Sequence, residues 1–166
     1  MNPVHLHLIL NHVPLFGSAV GLLLLLIALW RKSDELKRVA FGILVVTALL
    51  TLPVYFTGEP AEESVEHLTG VVKPAIEAHE DAAKIAFASM LATGALALVS
   101  FALFRRGRLV ANWFTALVLV LCVATGLLMA RTANLGGQVR HTEIGGAAAA
   151  TTADAEEHSD HEREHD

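Results

Sequence analysis

Four long apolar stretches without a charged residue constrain the fold of this chain more than any other feature. They comprise residues 13–30, 39–57, 85–104 and 109–130, and are 18, 19, 20 and 22 residues long. At a rise of about 1.5 Å per residue, each can cross roughly 30 Å of hydrocarbon as an α-helix. Only 17% of the 166 residues are charged, which argues against a water-soluble domain. The sequence therefore predicts an all-α bundle of four transmembrane helices.

The orientation follows from two short basic loops. Residues 31–38 contain four Lys or Arg, and residues 105–108 contain three. Because basic loops of this length stay in the cytoplasm, both termini are expected on the other side of the membrane, N-out and C-out. Trp30 and Trp113 fall at the basic boundary, as interfacial aromatic residues do. In a bacterium this describes a multi-pass protein of the inner, cytoplasmic membrane with periplasmic termini.

All charged residues lie outside the four apolar stretches, so the lipid bilayer is the expected partner of those stretches. The formal net charge of the chain is −5, so nucleic acid is not an expected partner. The first stretch has no basic segment before it and no cleavage site after it, which predicts that it is retained. Pro14 interrupts the helix that Pro3 can begin, and predicts a kink or restart near His12. The preceding segment is expected to lie at the outer interface or to fold over the bundle.

The remaining segments predict two domains. Residues 58–84 contain acidic helical segments broken by Gly70, and indicate a short helical outer hairpin between spans two and three. Gly136-Gly137 is a plausible stop for the fourth helix. Residues 1–144 then form the membrane domain, and residues 145–166 form an acidic, His-containing tail that is expected to be disordered because it has little to bury.

The nine histidines are the most informative residues for function. In this topology every one lies on the outer side: His5, His7, His12, His67, His79, His141, His158, His161 and His165. The first six can converge, because spans one and three run in the same direction and span four returns to the same level. Imidazoles at this depth suit axial ligation of haem, binding of copper, zinc or iron, or proton relay. Interfacial histidines also occur without any cofactor.

Small residues and carboxylates leave these alternatives open. Glycines on spans one, three and four leave room for a flat macrocycle, but they are equally common where transmembrane helices pack: Gly17, Gly21, Gly94 and Gly126. A metal site would add carboxylates from the outer side to the histidines. The candidates are Glu59, Glu62, Glu63, Glu77, Glu80 and Glu143.

Two segments resemble a known family. His7-Leu8-Ile9-Leu10-Asn11-His12-Val13-Pro14 resembles an HPxxxHxP-like opening, although Leu8 replaces the first proline, and the segment from Asn134 to His141 resembles a closing LGGxxxxH motif. Both are typical of a widespread family of small bacterial four-helix membrane proteins of unknown function, which looks like a relative of the four-helix cytochrome b group. The resemblance covers Asn2 to about Ile144. It implies a four-helix fold and a cofactor-binding set of His7, His12, His79 and His141.

The leading hypothesis is a membrane electron-transfer subunit that binds a b-type haem near the periplasmic face. His12 and His79 are the expected axial ligands, His7 and His141 are the alternates, and Arg140 is a candidate to bind the haem propionates. Its partners would be a periplasmic redox protein, the quinone pool or a larger membrane protein complex. Such a subunit would not be catalytic by itself, because the haem carries the electron.

Two alternatives remain open. One is a non-haem metal-binding membrane protein, with copper, zinc or iron held by His12 and His79 together with Glu80 or Glu143. The other is a cofactor-free membrane anchor subunit of a larger complex.

Overall fold

The computed structural model describes residues 3–65 and 73–140, and every regular element in these ranges is an α-helix. The six helices are α1 (Pro3–Leu10), α2 (Val13–Trp30), α3 (Asp34–Phe56), α4 (Gly58–Val65), α5 (Lys73–Arg105) and α6 (Asn112–Arg140). Four of them, α2, α3, α5 and α6, form segments long and apolar enough to cross a membrane. The prediction of an all-α chain with four such helices is confirmed. The tail and His141 lie outside the described residues.

Helix α5 begins before its apolar stretch, and helix α6 continues beyond the end of its own. α5 has 33 residues, which corresponds to about 50 Å, and its charge-free stretch begins only at residue 85. α6 continues to Arg140, ten residues past the end of its apolar stretch. The first turns of α5, the last turns of α6 and the whole of α4 therefore lie beyond the stretches that match the hydrocarbon core.

The predicted break near His12 is confirmed. α1 ends at Leu10, residues 11 and 12 form a turn, and α2 begins at Val13 with Pro14 in its first turn. Proline is tolerated there because the first N–H groups of a helix have no partner within the helix. α1 folds onto α3 and α4, so the N-terminal segment covers one end of the bundle.

The predicted stop at Gly136-Gly137 is wrong. Both glycines lie inside α6, and neither has a positive φ. The end of a helix depends on what packs against it as well as on the local preference for a left-handed residue. Here the first turns of α5 pack against α6 at this level, since a Cβ on Gly136 would lie 3.0 Å from Cε1 of His79.

Helices α2, α3, α5 and α6 pack in a closed ring, each against two neighbours. Large buried side chains fill the centre, among them Leu25, Phe41, Leu44, Met90 and Val118.

Three glycines bring α3 close to α2 and to α5. A Cβ at Gly94 would collide with Ala48, one at Gly17 with Thr47, and one at Gly21 would lie 2.5 Å from Cδ2 of Leu44. These glycines therefore serve helix packing, which is one of the two roles that the sequence left open.

A chain of hydroxyl groups joins α5 to α6 in the middle of the bundle. Thr93 donates to the carbonyl of Ser89 at 2.9 Å, and its oxygen lies 2.8 Å from the hydroxyl of Thr125. Ser89 Oγ lies 2.7 Å from the same Thr125 hydroxyl. These hydroxyl groups satisfy one another across the interface, where no water would be available in lipid.

Candidate cofactor site

A cavity of about 730 Å³ lies at the end of the bundle that carries His7, His12 and His79, which we call the histidine end. All six helices contribute to its wall. Most of the wall is apolar, with Leu15, Val54, Ile76, Phe87 and Met129 among the lining residues. The cavity is within the range of roughly 300–1,000 Å³ that is typical of sites for small molecules and cofactors.

His79 is held against α6 by a hydrogen bond to the backbone. Its Nδ1–H donates to the carbonyl oxygen of Thr132 at 3.0 Å. A carbonyl can only accept, so Nδ1 carries the proton and a neutral ring has its lone pair on Nε2. Gly136 lies beside the ring, where a Cβ would be 3.2 Å from Nδ1. The small residue of the closing motif therefore makes room for this imidazole.

His7 is oriented in the same way by α3. Its Nδ1–H donates to the carbonyl oxygen of Val54 at 3.0 Å, and Thr57 Oγ1 lies 3.4 Å from the same nitrogen. Val54 is in the last turn of α3, where carbonyl groups lack partners within the helix. The same carbonyl also accepts from Thr57 Oγ1 at 3.1 Å, and its contact with His7 directs the lone pair of Nε2 away from it.

His12, the leading ligand candidate from the sequence, also lines the cavity, but it is exposed. Its ring stacks on Phe16, with 6.3 Å between the ring centroids. The structure thus brings three of the predicted residues, His7, His12 and His79, to one cavity. For Arg140 the structure describes only the backbone at the end of α6, and His141 lies beyond the described residues.

Three carboxylates, Glu59, Glu62 and Glu80, stand along the wall beside α4 and α5. Glu62 is half-buried and lies on α4, outside the apolar stretches. Burial raises the pKa of Glu62 to about 7, and the nearby charge of Glu80 acts in the same direction while Lys84 opposes it. Lys84 pairs with Glu80 at 2.9 Å. With this pKa, Glu62 can exchange a proton near neutral pH.

Within the ranges 3–65 and 73–140, no three His, Cys, Asp or Glu side chains form a group that could hold a metal ion.

No protein-family model, curated protein or solved structure matches the chain.

Sequence reasoning missed two residues of the wall. Asn11 has its Oδ1 shielded from solvent, with no hydrogen-bond donor among the described residues. Tyr55 also lines the cavity, where its ring stacks on that of Phe87 with 4.1 Å between the ring centroids. The position of Asn11 between two histidines of the opening motif could have indicated the first. Nothing in the sequence pairs Tyr55 with Phe87.

Proposed function

We propose that this chain is a membrane electron-transfer subunit that binds a b-type haem in the cavity at the histidine end. The observation that carries the proposal is the matched orientation of His7 and His79. Each donates Nδ1–H to a backbone carbonyl at 3.0 Å and keeps Nε2 for another partner. Histidines that bind metals make this second contact almost always, because it sets the tautomer and the orientation of the ring.

The rest of the cavity fits a haem. Two imidazoles come from different helices and line the same cavity of about 730 Å³, whose wall is mostly apolar. The macrocycle itself supplies four ligands to the iron, so two axial side chains are sufficient. A copper or zinc site would instead take three or four ligands from the protein. The pair of oriented histidines therefore favours haem over the non-haem alternative.

The hydrogen bonds also favour one pair of ligands. The sequence favoured His12 with His79, and the carbonyl contacts favour His7 with His79. His12 is exposed and stacks on Phe16, which suits an alternate ligand or a group at the rim of the cavity. When bound, haem supplies one-electron transfer, and its ligands and burial set the potential. The protein would hold the iron through the two rings and exclude water with the apolar wall.

The finer parts of the proposal rest on sequence features. The basic loops at the opposite end favour a periplasmic position for the histidine end, in a bacterial inner membrane. A periplasmic redox protein, the quinone pool or a larger membrane complex would then exchange electrons with the site. Arg140 remains the candidate for the haem propionates, and the resemblance of the opening and closing motifs supports membership of the four-helix family described above.

The test is an optical spectrum of the purified full-length chain, oxidised and reduced, with a pyridine haemochrome assay and elemental analysis. We expect a reducible Soret band that is lost in His7→Ala and His79→Ala and weakened at most in His12→Ala. His5→Ala is the matched control, because His5 is exposed on the same helix as His7 and is not part of the cavity wall. Circular dichroism would establish that each variant is folded.

The same measurements separate the alternatives. If the chain contains copper, zinc or iron without a Soret band, and if replacing His12 or His79 removes that metal, the cavity holds a non-haem metal ion and not haem. A chain that contains neither haem nor metal after expression with sufficient haem would contradict the proposal. The cofactor-free membrane anchor subunit would then be the remaining alternative.

A further inference from the structure

The end of the bundle opposite the cavity carries a dense set of cations. It consists of residues 31–38, which form the turn between α2 and α3 and the start of α3, and residues 105–112, which form the end of α5, the following loop and the start of α6. Lys37 joins the two, since its Nζ donates to Asn112 Oδ1 at 3.0 Å. The rings of Phe41 and Phe104 lie 6.2 Å apart at the same level. We call this surface the basic end.

The cations of the basic end are largely unopposed. Six basic side chains are exposed there: Arg31, Lys32, Arg38, Arg105, Arg106 and Arg108. Two carboxylates belong to the same surface, and one of them, Asp34, is paired with the buried Lys37 at 2.8 Å. Among the described residues of this surface, only Glu35 is left to oppose the six exposed cations.

These six cations form no ion pair within the described parts of the chain. The guanidinium of Arg38 lies 5.9 Å from the ring centroid of Phe104, which positions it without neutralising it. Arginine can donate two parallel hydrogen bonds to a phosphate group. The exposed guanidinium groups therefore have donors to offer to an anionic partner.

Large apolar side chains surround the cations. Trp30 is 82% exposed, Leu109 78% and Trp113 71%. Tryptophan prefers the level of lipid headgroups, where its ring is in contact with both apolar and polar surroundings. Directly beyond these residues each helix enters an apolar stretch of hydrocarbon length. The cations are thus located where the phosphate groups of a bilayer would lie.

We infer that the basic end binds the headgroups of anionic phospholipids, through arginines of the α2–α3 turn and the α5–α6 loop. The charge of the surface and its two exposed tryptophans carry this inference, which does not depend on the proposed haem. Clusters of four to eight Lys or Arg directly beside transmembrane helices are typical of anionic lipid binding. The expected ligand is a phosphodiester lipid with a net negative charge, in preference to a zwitterionic one.

Both tryptophans of the chain lie at the basic end, so their fluorescence reports on this surface. The full-length chain would be reconstituted into phosphatidylcholine vesicles in which a fixed fraction of lipid carries bromine on its acyl chains. Brominated phosphatidylglycerol is expected to quench the tryptophans about twofold more than brominated phosphatidylcholine at the same fraction. Raising NaCl from about 0.1 M to about 1 M should reduce the difference, because the contacts lie at the surface.

Arg105→Gln/Arg106→Gln/Arg108→Gln is the test variant, and it should lose most of the preference. The control, Lys73→Gln/Lys84→Gln/Arg131→Gln, removes the same number of positive charges at the histidine end. It should keep the preference for the anionic lipid. All three arginines of the test variant are exposed, and retained helicity by circular dichroism would show that the bundle is folded.

Three results would overturn the inference: equal quenching of the native chain by the two lipids, an equal loss of preference in the control, or a preference that persists in the test variant. Inorganic phosphate should weaken the preference no more than chloride does at the same ionic strength. A larger effect would assign the surface to a free phosphate ion instead of a lipid.

Discussion

The Nδ1–H of His79 on α5 and the carbonyl oxygen of Thr132 on α6 are joined by a hydrogen bond of 3.0 Å across the interface of the two longest helices. The bond fixes the ring that we propose as a ligand, and it depends on how closely the two helices approach. Gly136, one turn after Thr132, sets that approach because it has no side chain to displace the ring. The glycine of the closing motif and the histidine on the neighbouring helix thus form one structural unit.

Gly136→Ala should disturb this unit. A Cβ would lie 3.0 Å from His79 Cε1 and 3.2 Å from Nδ1, so the ring must move and its bond to Thr132 must lengthen. We expect a loss of about 1 kcal/mol relative to an unhindered glycine-to-alanine change in the same helix. Unfolding by sodium dodecyl sulfate measures it, and the absorbance of bound haem should fall as well.

Gly137→Ala is the control for that experiment. Outside its own stretch of helix, no atom of the described residues lies within 4 Å of the added Cβ, so the helix should gain about 0.5–1 kcal/mol from the lower flexibility of the unfolded chain. Equal stabilities for the two variants would show that Gly136 has no special role beside His79.

Glu62 should make the stability of the protein depend on pH. Burial, with the charge of Glu80, raises the pKa of Glu62 from 4.5 to about 7 in the folded protein, so the folded state binds this proton more tightly than the unfolded one. The resulting stabilisation is complete below pH 4.5 and is lost as the pH rises through 7. Because Glu62 is only half-buried, solvent limits the effect to roughly 1 kcal/mol or less.

Thermal unfolding between pH 4 and 8 would measure this dependence. Glu62→Gln should flatten the curve over that interval, whereas Glu63→Gln, a change at an exposed neighbour on the same helix, should leave it as in the native chain. A pH dependence that Glu62→Gln leaves unchanged, or one that both variants change equally, would contradict the prediction.

Thr125→Val should weaken the contact between α5 and α6. The Thr125 hydroxyl lies 2.7 Å from Ser89 Oγ and 2.8 Å from Thr93 Oγ1, and valine has the same shape without these bonds. Hydrogen bonds between transmembrane helices contribute about 0.6–2 kcal/mol, which is the expected loss. Thr51→Val is the matched control, because Thr51 donates only to Thr47 of its own helix. Unfolding in detergent should rank Thr125→Val as the less stable variant.

Gly94→Ala should force α3 and α5 apart. Its Cβ would collide with the Cβ of Ala48, and overpacking of this kind costs about 1–3 kcal/mol. Adding Ala48→Gly should restore most of the lost stability, because it removes the Cβ with which the new side chain collides. Gly126→Ala, with nothing within 4 Å, should be neutral or stabilising. If Gly94→Ala left the free energy of unfolding unchanged, α3 and α5 would be able to move apart without loss of stability, contrary to the prediction.

The amino-acid sequence determined the features that depend on local physics. Hydrocarbon thickness and the absence of charge define a transmembrane helix segment by segment, and the first apolar stretch coincides with α2, Val13–Trp30. Proline acts on its own turn, so Pro14 predicted where α1 and α2 separate. Histidines near the ends of parallel spans were expected at one end of the bundle, and His7, His12 and His79 do line one cavity.

Tertiary structure alone decided how these parts meet. The end of α6 was mispredicted because it depends on the packing of α5 at Gly136, which no local preference of glycine contains. Our preference for His7 over His12 in the proposed site rests on the hydrogen bond from His7 to the carbonyl of Val54. Every residue has a carbonyl, so the sequence cannot indicate which one accepts it. The shielded oxygen of Asn11 and the stacking of Tyr55 on Phe87 likewise arise from the folding of α1 and α3 over one cavity.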